Sequence, residues 1–323
     1  MPEMTYIQAV VAALDRALTA SDEVIVFGED LGVGGVFGQT KGLARKHGDR
    51  VFNTPISESA ILGGAIGAAQ NGLRPVAEIM WSDFSLVALD QIVNQAANIR
   101  YVSNGAITAP LTIRMQQGVT PASCAQHSQN LEAIFAHVPG LRVCMPSTPQ
   151  DAFDMILRAI ELDDPTIVIE NRRMYADRQD VTIDGPIPEA GHAVVRRQGS
   201  GVTVVSWGRM VGECLAAADA VAADGVSVEV VDLRWLNPLD MDTVLSSVEK
   251  TSRIVIVHEA NMTGGFGAEI GARVAADGFY FLDAPVHRIG LPDLRVPAAP
   301  HLQEAIVPSA ESIAGEILAV VKD

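Results

Sequence analysis

Glu58 opens a stretch of small residues, Ser59-Ala60-Ile61-Leu62-Gly63-Gly64-Ala65-Ile66-Gly67-Ala68-Ala69, and is preceded by Asn53-Thr54-Pro55-Ile56-Ser57. A carboxylate at a helix start sits favourably on the helix dipole, worth about 0.3–1 kcal/mol. That bland role competes with a chemical one. Glycines inside a helix cost about 1 kcal/mol each relative to alanine, so tolerating them suggests that a partner helix or a flat ligand approaches the backbone closely. A carboxylate at the edge of such a ligand could hydrogen-bond a ring nitrogen. His127 is the second candidate. It closes a loop, Gln116 to Gln126, that holds Gly118, Pro121, Ser123 and Cys124 and follows an apolar strand. Loops off strand C-termini are where α/β sheets place their chemistry. An ordinary surface-loop histidine fits the spacing equally well. The third is His258-Glu259-Ala260-Asn261-Met262-Thr263-Gly264-Gly265-Phe266-Gly267, for which a tight turn with close helix packing is the favoured reading. His137, ahead of Val138-Pro139-Gly140, reads as a helix-end partner of the dipole.

Positioning such groups requires an α/β framework. Short Val- and Ile-rich runs alternate with Ala-rich stretches, the mark of βαβ units. Strands are expected at Val24–Phe27, Pro75–Ile79, Leu111–Met115, Arg142–Pro146 and Thr166–Glu170. Helices are expected at Thr5–Ser21, Ser59–Asn71, Phe84–Ser103, Asn130–His137 and Pro149–Leu162. Between about Ala176 and Gly191 the periodicity fails, which predicts a linker. A second α/β set follows, ending in a helix over Ser309–Lys322. The expected domains are residues 1–180 and 181–323.

At 323 residues the chain is long enough for about two domains. Its 48% apolar and 19% charged residues describe a core-rich globular protein. Lys plus Arg number 23 against 39 Asp plus Glu, a net charge of −16, which argues against nucleic-acid or anionic-membrane binding. Cys124, Cys144 and Cys214 lie far apart, suiting a reducing compartment rather than a disulfide or zinc framework. With no signal-peptide pattern at Met1-Pro2-Glu3-Met4, a cytoplasmic location is expected. Gly32-Val33-Gly34-Gly35-Val36-Phe37 puts a phenyl ring where a dinucleotide fingerprint needs its third glycine. Walker, zincin and nucleophile-elbow motifs are absent from the sequence.

Gly28-Glu29-Asp30, Phe52 to Glu58, Gly72-Leu73-Arg74-Pro75, Asp90-Gln91-Ile92, Ala125-Gln126-His127-Ser128-Gln129, Pro139-Gly140-Leu141 and His258-Glu259-Ala260 occur in one order along the chain. Together they resemble the β subunit of the thiamine-diphosphate-dependent component of 2-oxo-acid dehydrogenases, a family covering pyruvate, branched-chain 2-oxo-acid and acetoin dehydrogenases. The resemblance runs essentially end to end. It implies a thiamine-diphosphate pyrimidine-binding domain followed by a transketolase C-terminal domain, each a mostly parallel sheet flanked by helices.

The same resemblance gives residues roles. Glu58 would hydrogen-bond the cofactor's aminopyrimidine nitrogen and favour the tautomer that deprotonates the thiazolium ring. Phe84 would stack on the aminopyrimidine, with Met80 beside the cofactor, and His127 would face substrate and assist proton transfer or lipoyl reduction. A potassium ion would be held by backbone carbonyls at Leu111, Ala159, Ile160, Leu162 and Asp164. The chain has no Gly-Asp-Gly segment, so the diphosphate and Mg²⁺ are expected on a partner α subunit in an α2β2 heterotetramer. A lipoyl-bearing acyltransferase core would receive the acyl group, and the substrate would be a 2-oxo acid or acetoin. Three departures bear on acyl specificity: Gln116-Gln117 opening the histidine loop, pyruvate-type Met80, and Asn171-Arg172-Arg173 replacing a Pro-Lys stretch. The alternatives are the C-terminal half of a split transketolase and a non-catalytic scaffold subunit.

Overall fold

The computed structural model describes residues 1–322 and divides into two compact units. The first comprises residues 1–117 and 134–190; the second comprises 118–133 and 191–323.

In the first unit, six parallel strands run in the order Arg142–Cys144, Thr166–Asn171, Thr112–Gln117, Arg74–Ile79, Val24–Gly28 and Val51–Asn53. Thr112–Gln117 and Thr166–Asn171 are buried throughout, as expected for a parallel sheet covered on both faces. Helix Tyr6–Ala20 starts with a reciprocal capping box between Thr5 and Gln8. Its buried Tyr6, Val10, Leu14 and Leu18 recur at helical spacing, and it packs against helix Pro149–Glu161. There Thr148 Oγ1 caps the Asp151 N–H at 3.1 Å, and Pro149 occupies the first turn, where its missing N–H costs nothing.

The single helix expected over Phe84–Ser103 is instead three pieces. Ser82–Ala88 winds as a 3₁₀ helix, Gln91–Ala96 widens into a π-helix, and only Ile99–Val102 is α-helical. Polar side chains compete for the carbonyls that a continuous helix would use. Ser85 Oγ donates to Ser82 O at 2.5 Å, and Asn98 Nδ2 donates to Val93 O and Asn94 O at 3.3 Å. The expected linker also gains order. Arg178–Asp180 pairs antiparallel with Glu3–Thr5, and Arg158 donates to the carbonyls of Ile187 and Pro188.

The second unit holds a five-stranded sheet in the order His287–Leu291, Ile254–Asn261, Val202–Ser206, Val228–Asp232 and Val194–Arg197. All neighbours are parallel except the last pair. Strand Val194–Arg197 went unrecognised in the sequence because its Arg196 and Arg197 break the apolar run. Arg196 instead pairs with buried Asp232 at 2.8 Å. Helices Met210–Ala222 and Ala310–Lys322 pack together over Val202, Val204, Val228 and Val255. Segment 118–133 leaves the first unit's sheet and joins the second unit, where Val119 is buried with Leu291 and Val296.

Candidate functional site

Glu58 is the first residue of helix Glu58–Gln70; Ser57 precedes it in extended conformation and provides no side-chain cap. The Glu58 carboxylate is half-buried and has no hydrogen-bond or ion-pair partner among the described residues. Glu29, which follows strand Val24–Gly28, lies within its electrostatic reach. Burial, the Glu58 charge and Asp30 raise the Glu29 carboxyl above its ordinary pKa. The sequence offered Glu29 only as part of a motif. Its coupling to Glu58 required the fold.

Beyond Glu58 the helix presents an exposed face of Ala60, Gly63 and Gly64. A Cβ built on Gly64 or Gly67 would meet nothing within 4 Å, and one on Gly63 only Gln91 Cγ at 3.9 Å. The close approach predicted for these glycines is therefore not made by this chain. Alongside runs an apolar groove of about 360 Å³, lined by Phe27, Phe52, Thr54, Pro55, Ala60 and Ile61. Thr54 Oγ1 is buried there without a hydrogen-bond partner. Phe52, Ile56, Leu86 and Val87 add exposed apolar surface to this unit.

Met80 and Phe84 follow strand Arg74–Ile79, both half-buried, with Phe84 inside the 3₁₀ helix Ser82–Ala88. The tight 3₁₀ turn, rather than the expected α-helix, sets the direction of Phe84. Between them Trp81 meets the Arg172 guanidinium at 4.7 Å from its ring centroid, and Phe37 lies 4.8 Å from the same cation. Arg172, singled out in the sequence as a departure, thus fixes Trp81 by cation–π contact. Beneath it, Arg114 lies between Glu78 and Glu170, at 2.8 Å and 2.6 Å. Gln39 donates to Glu78 and Tyr175 to Glu170. All of these are buried. Burial raises the Glu78 carboxyl above its ordinary pKa against the pull of Arg114. The Arg114 guanidinium is held charged by Glu170 and Glu78 against the cost of its burial.

At the five carbonyl positions, four oxygens already accept hydrogen bonds within the chain. Ile160 O and Leu162 O accept from Arg74 Nη1 at 2.9 and 3.3 Å, and Leu111 O accepts from Thr166 N. Asp164 O accepts from Thr166 Oγ1, while its carboxylate pairs with Arg100 at 2.5 Å. Ala159 is buried in helix Pro149–Glu161.

His127 belongs to the second unit, on segment 118–133, and is half-buried. Ala122 and Cys124 adopt left-handed φ of 64° and 55°. Thr120 N donates to Ser123 Oγ, and Ser123 Oγ bonds Ser128 Oγ immediately after His127. His258 and Glu259 end the neighbouring strand Ile254–Asn261. The His258 ring is buried, stacks on Trp207 at 5.5 Å, and bonds Ala260 O through Nδ1 at 3.1 Å. A Cβ on Gly265, Gly267 or Gly290 would come within 2.6–2.8 Å of that ring, which explains the glycines of this motif. Burial and Arg288 lower the His258 pKa to about 4, so the ring is neutral. His258 is a packing histidine, whereas the Glu259 carboxylate accepts from the Val119 N–H on the His127 segment.

No helix among the described residues is long and apolar enough to cross a membrane. The pyrimidine-binding domain of transketolase matches residues 2–178, and the C-terminal domain of transketolase matches residues 191–313. The acetoin:2,6-dichlorophenolindophenol oxidoreductase subunit beta of Cupriavidus necator is 42% identical over 323 residues, covering 95% of this chain and 94% of that one. The pyruvate dehydrogenase E1 component subunit beta of Bacillus subtilis is 43% identical over 300 residues, covering 92% of each. The 2-oxoisovalerate dehydrogenase subunit beta of Pseudomonas aeruginosa is 43% identical over 305 residues, covering 88% of this chain and 86% of that one. Among solved structures, a split-gene transketolase described as an inactive beta4 tetramer aligns with a TM-score of 0.82 at 21% identity, covering 99% of this chain and 98% of that one, and shares the fold. With both domains matched and these relatives aligned nearly end to end, the chain belongs to the transketolase-type family that contains the β subunits of pyruvate, 2-oxoisovalerate and acetoin dehydrogenases.

Proposed function

We propose that this chain is the catalytic β subunit of a cytoplasmic, thiamine-diphosphate-dependent dehydrogenase that acts on a 2-oxo acid or acetoin and passes the acyl group to a lipoyl carrier. The observation that carries this reading is the unpartnered Glu58 carboxylate at the start of a helix in the pyrimidine-binding domain. A half-buried carboxylate without a cation suits a ring nitrogen that gains a proton, so the residues present fit the cofactor's pyrimidine. When bound, the cofactor supplies a carbon nucleophile and an electron sink. Glu58 would hold a proton at the pyrimidine nitrogen, Phe84 would stack on that ring and Met80 would border it. His127 would deliver a proton to the substrate or to the lipoyl sulfur.

The exposed glycine face and apolar groove support an α subunit covering this unit, in an α2β2 arrangement, with the diphosphate and Mg²⁺ held on the α chain. The C. necator, B. subtilis and P. aeruginosa relatives are each named as subunits beta, which supports a partner chain; a lipoyl-bearing core would receive the acyl group. A potassium ion at Leu111, Ala159, Ile160, Leu162 and Asp164 would share the Ile160 and Leu162 carbonyl oxygens with Arg74. Free thiols at Cys124, Cys144 and Cys214 support a reducing compartment.

The test is turnover of pyruvate, 2-oxoisovalerate and acetoin by the chain assembled with its α partner. Glu58→Gln keeps size but cannot balance a protonated nitrogen, and turnover should fall about 10²-fold or more. Assembly should be intact, because the dipole contribution of Glu58 is only about 0.3–1 kcal/mol. Normal turnover of the variant would return Glu58 to a plain helix-start residue.

A further inference from the structure

The loop carrying His127 has no regular structure and two residues in left-handed conformation; beyond its internal Thr120–Ser123 and Ser123–Ser128 bonds it is held by ties to its surroundings. One residue fastens both of its ends. Glu259 Oε1 accepts from the Val119 N–H at 2.6 Å at the loop's entry, and Glu259 O accepts from Asn130 Nδ2 at 3.1 Å at its exit. Glu259 is itself buried at the end of a strand whose next-door His258 is locked between Trp207 and three glycines. Secondary ties lie outside this pair: Gln303 Nε2 donates to Thr120 O, Arg295 to Gln129 Oε1, and Trp207 Nε1 to Glu132 Oε1. The buried carboxylate therefore spends a charge-assisted hydrogen bond on a backbone amide eight residues before His127.

We propose that Glu259 is a positioning residue for His127: its carboxylate and carbonyl clamp the two ends of the loop and set where the imidazole stands. The proposal rests on the reading of His127 as a proton donor to substrate or lipoyl group. It assigns to the His258-Glu259 motif a role in presenting a group borne on a different segment. The histidine anchors the strand end and the glutamate holds the loop.

Glu259→Ala and Glu259→Gln, each assembled with the α subunit, test it through two independent readouts. The first is amide hydrogen exchange over residues 119–130. Loss of the buried acceptor in Glu259→Ala should speed exchange there roughly tenfold, while helix Gly267–Asp277 keeps its protection. The second is turnover with a lipoyl-domain acceptor, which should fall about 10²-fold, mainly in kcat, because a displaced general acid loses its alignment. Glu259→Gln retains an oxygen for the Val119 N–H and should restore both. Unchanged exchange in Glu259→Ala, or no recovery in Glu259→Gln, would overturn the clamp. His127→Ala, measured alongside, separates the two ideas. An unimpaired His127→Ala removes the role of His127, whereas an impaired His127→Ala beside a fully active Glu259→Ala removes only the clamp. Should Glu259→Ala not assemble, Asn130→Ala releases the exit alone and must raise exchange at residues 126–130 for the proposal to stand.

Discussion

In the first unit, an ion triad is buried across three neighbouring strands, among neutral Thr112, Gln116, Gln117, Thr166 and Asn171. Glu78, Arg114 and Glu170 come from three adjacent strands, and each lies one to three residues before its strand ends, at Ile79, Gln117 and Asn171. In the second unit, charge and neutral groups are mixed: buried Asp232 pairs with Arg196 and buried Glu229 with Lys250, beside a cluster of hydroxyls and an imidazole. Thr203, Ser247 and Thr251 share hydroxyl hydrogen bonds of 2.7 Å, and His258 stays uncharged. A guanidinium between two carboxylates permits one arrangement of three strands, because any slip leaves a buried charge unpaired. Hydroxyls tolerate rotation and exchange of partners. The ionic interior therefore fixes strand ends that project Met80 and Phe84 directly. In the second unit, the strand that carries the neutral His258 ring holds a loop through Glu259.

The sharpest way to break this contrast is to remove the cation. Arg114→Met leaves Glu78 and Glu170 buried without their shared cation and should destabilise the chain by about 3–5 kcal/mol, read as a fall in the urea midpoint. Arg114→Lys keeps the charge but not the planar fork that meets both carboxylates, so an intermediate loss is expected. A loss near zero in both would mean that the strand ends are set by apolar packing alone.

Much of this framework was legible in the sequence, and the exceptions have physical causes. The apolar strands and the helix capped by Thr148 announced themselves through composition and spacing. Phe84–Ser103 did not, because Ser85 and Asn98 divert carbonyls that only a folded chain exposes to them. Glu58 was visible because a helix start is a local pattern. The coupling of Glu29 to Glu58, the Arg172 cation between Phe37 and Trp81, and the Glu259 clamp all join residues far apart in the chain. A local reading has no signal for such pairs. The His258–Gly267 motif reads in sequence as a tight turn with close helix packing; His258 itself lies in strand Ile254–Asn261, and its imidazole is the object around which the glycines close.

The neutral His258 ring makes a pH prediction of definite sign. The His258 ring titrates near 6.5 when unfolded and only at about 4 when folded. Between those values the unfolded chain binds the extra proton. The stability contributed by a neutral ring is therefore complete above about pH 6.5 and is lost as pH falls toward 4, by roughly 1.4 kcal/mol per unit. Carboxylates elsewhere also titrate in acid, so the informative quantity is the difference in slope between the parent and His258→Asn. The variant should be weaker at every pH but show a flatter decline between 6.5 and 4. Parallel slopes would place the ring in contact with solvent.

The smallest effect is expected where hydroxyls can rearrange. Thr203 is fully buried, and Val is close to it in shape with the same preference for a strand, so Thr203→Val removes little besides one hydroxyl. Its two partners keep other bonds: Ser247 Oγ donates to Glu229 Oε1 at 2.5 Å, and Thr251 Oγ1 donates to Ser247 O at 3.1 Å. No buried donor is orphaned, so the cost should be about 1 kcal/mol, the net worth of an ordinary hydrogen bond. Urea titrations of Thr203→Val and Arg114→Met under one set of conditions then measure the contrast itself. A cost for Thr203→Val as large as that for Arg114→Met would show that the hydroxyl cluster is as rigid as the ionic one. The second unit would then owe its order to a fixed polar network, and Glu259 would be one part of that network rather than a clamp at its edge.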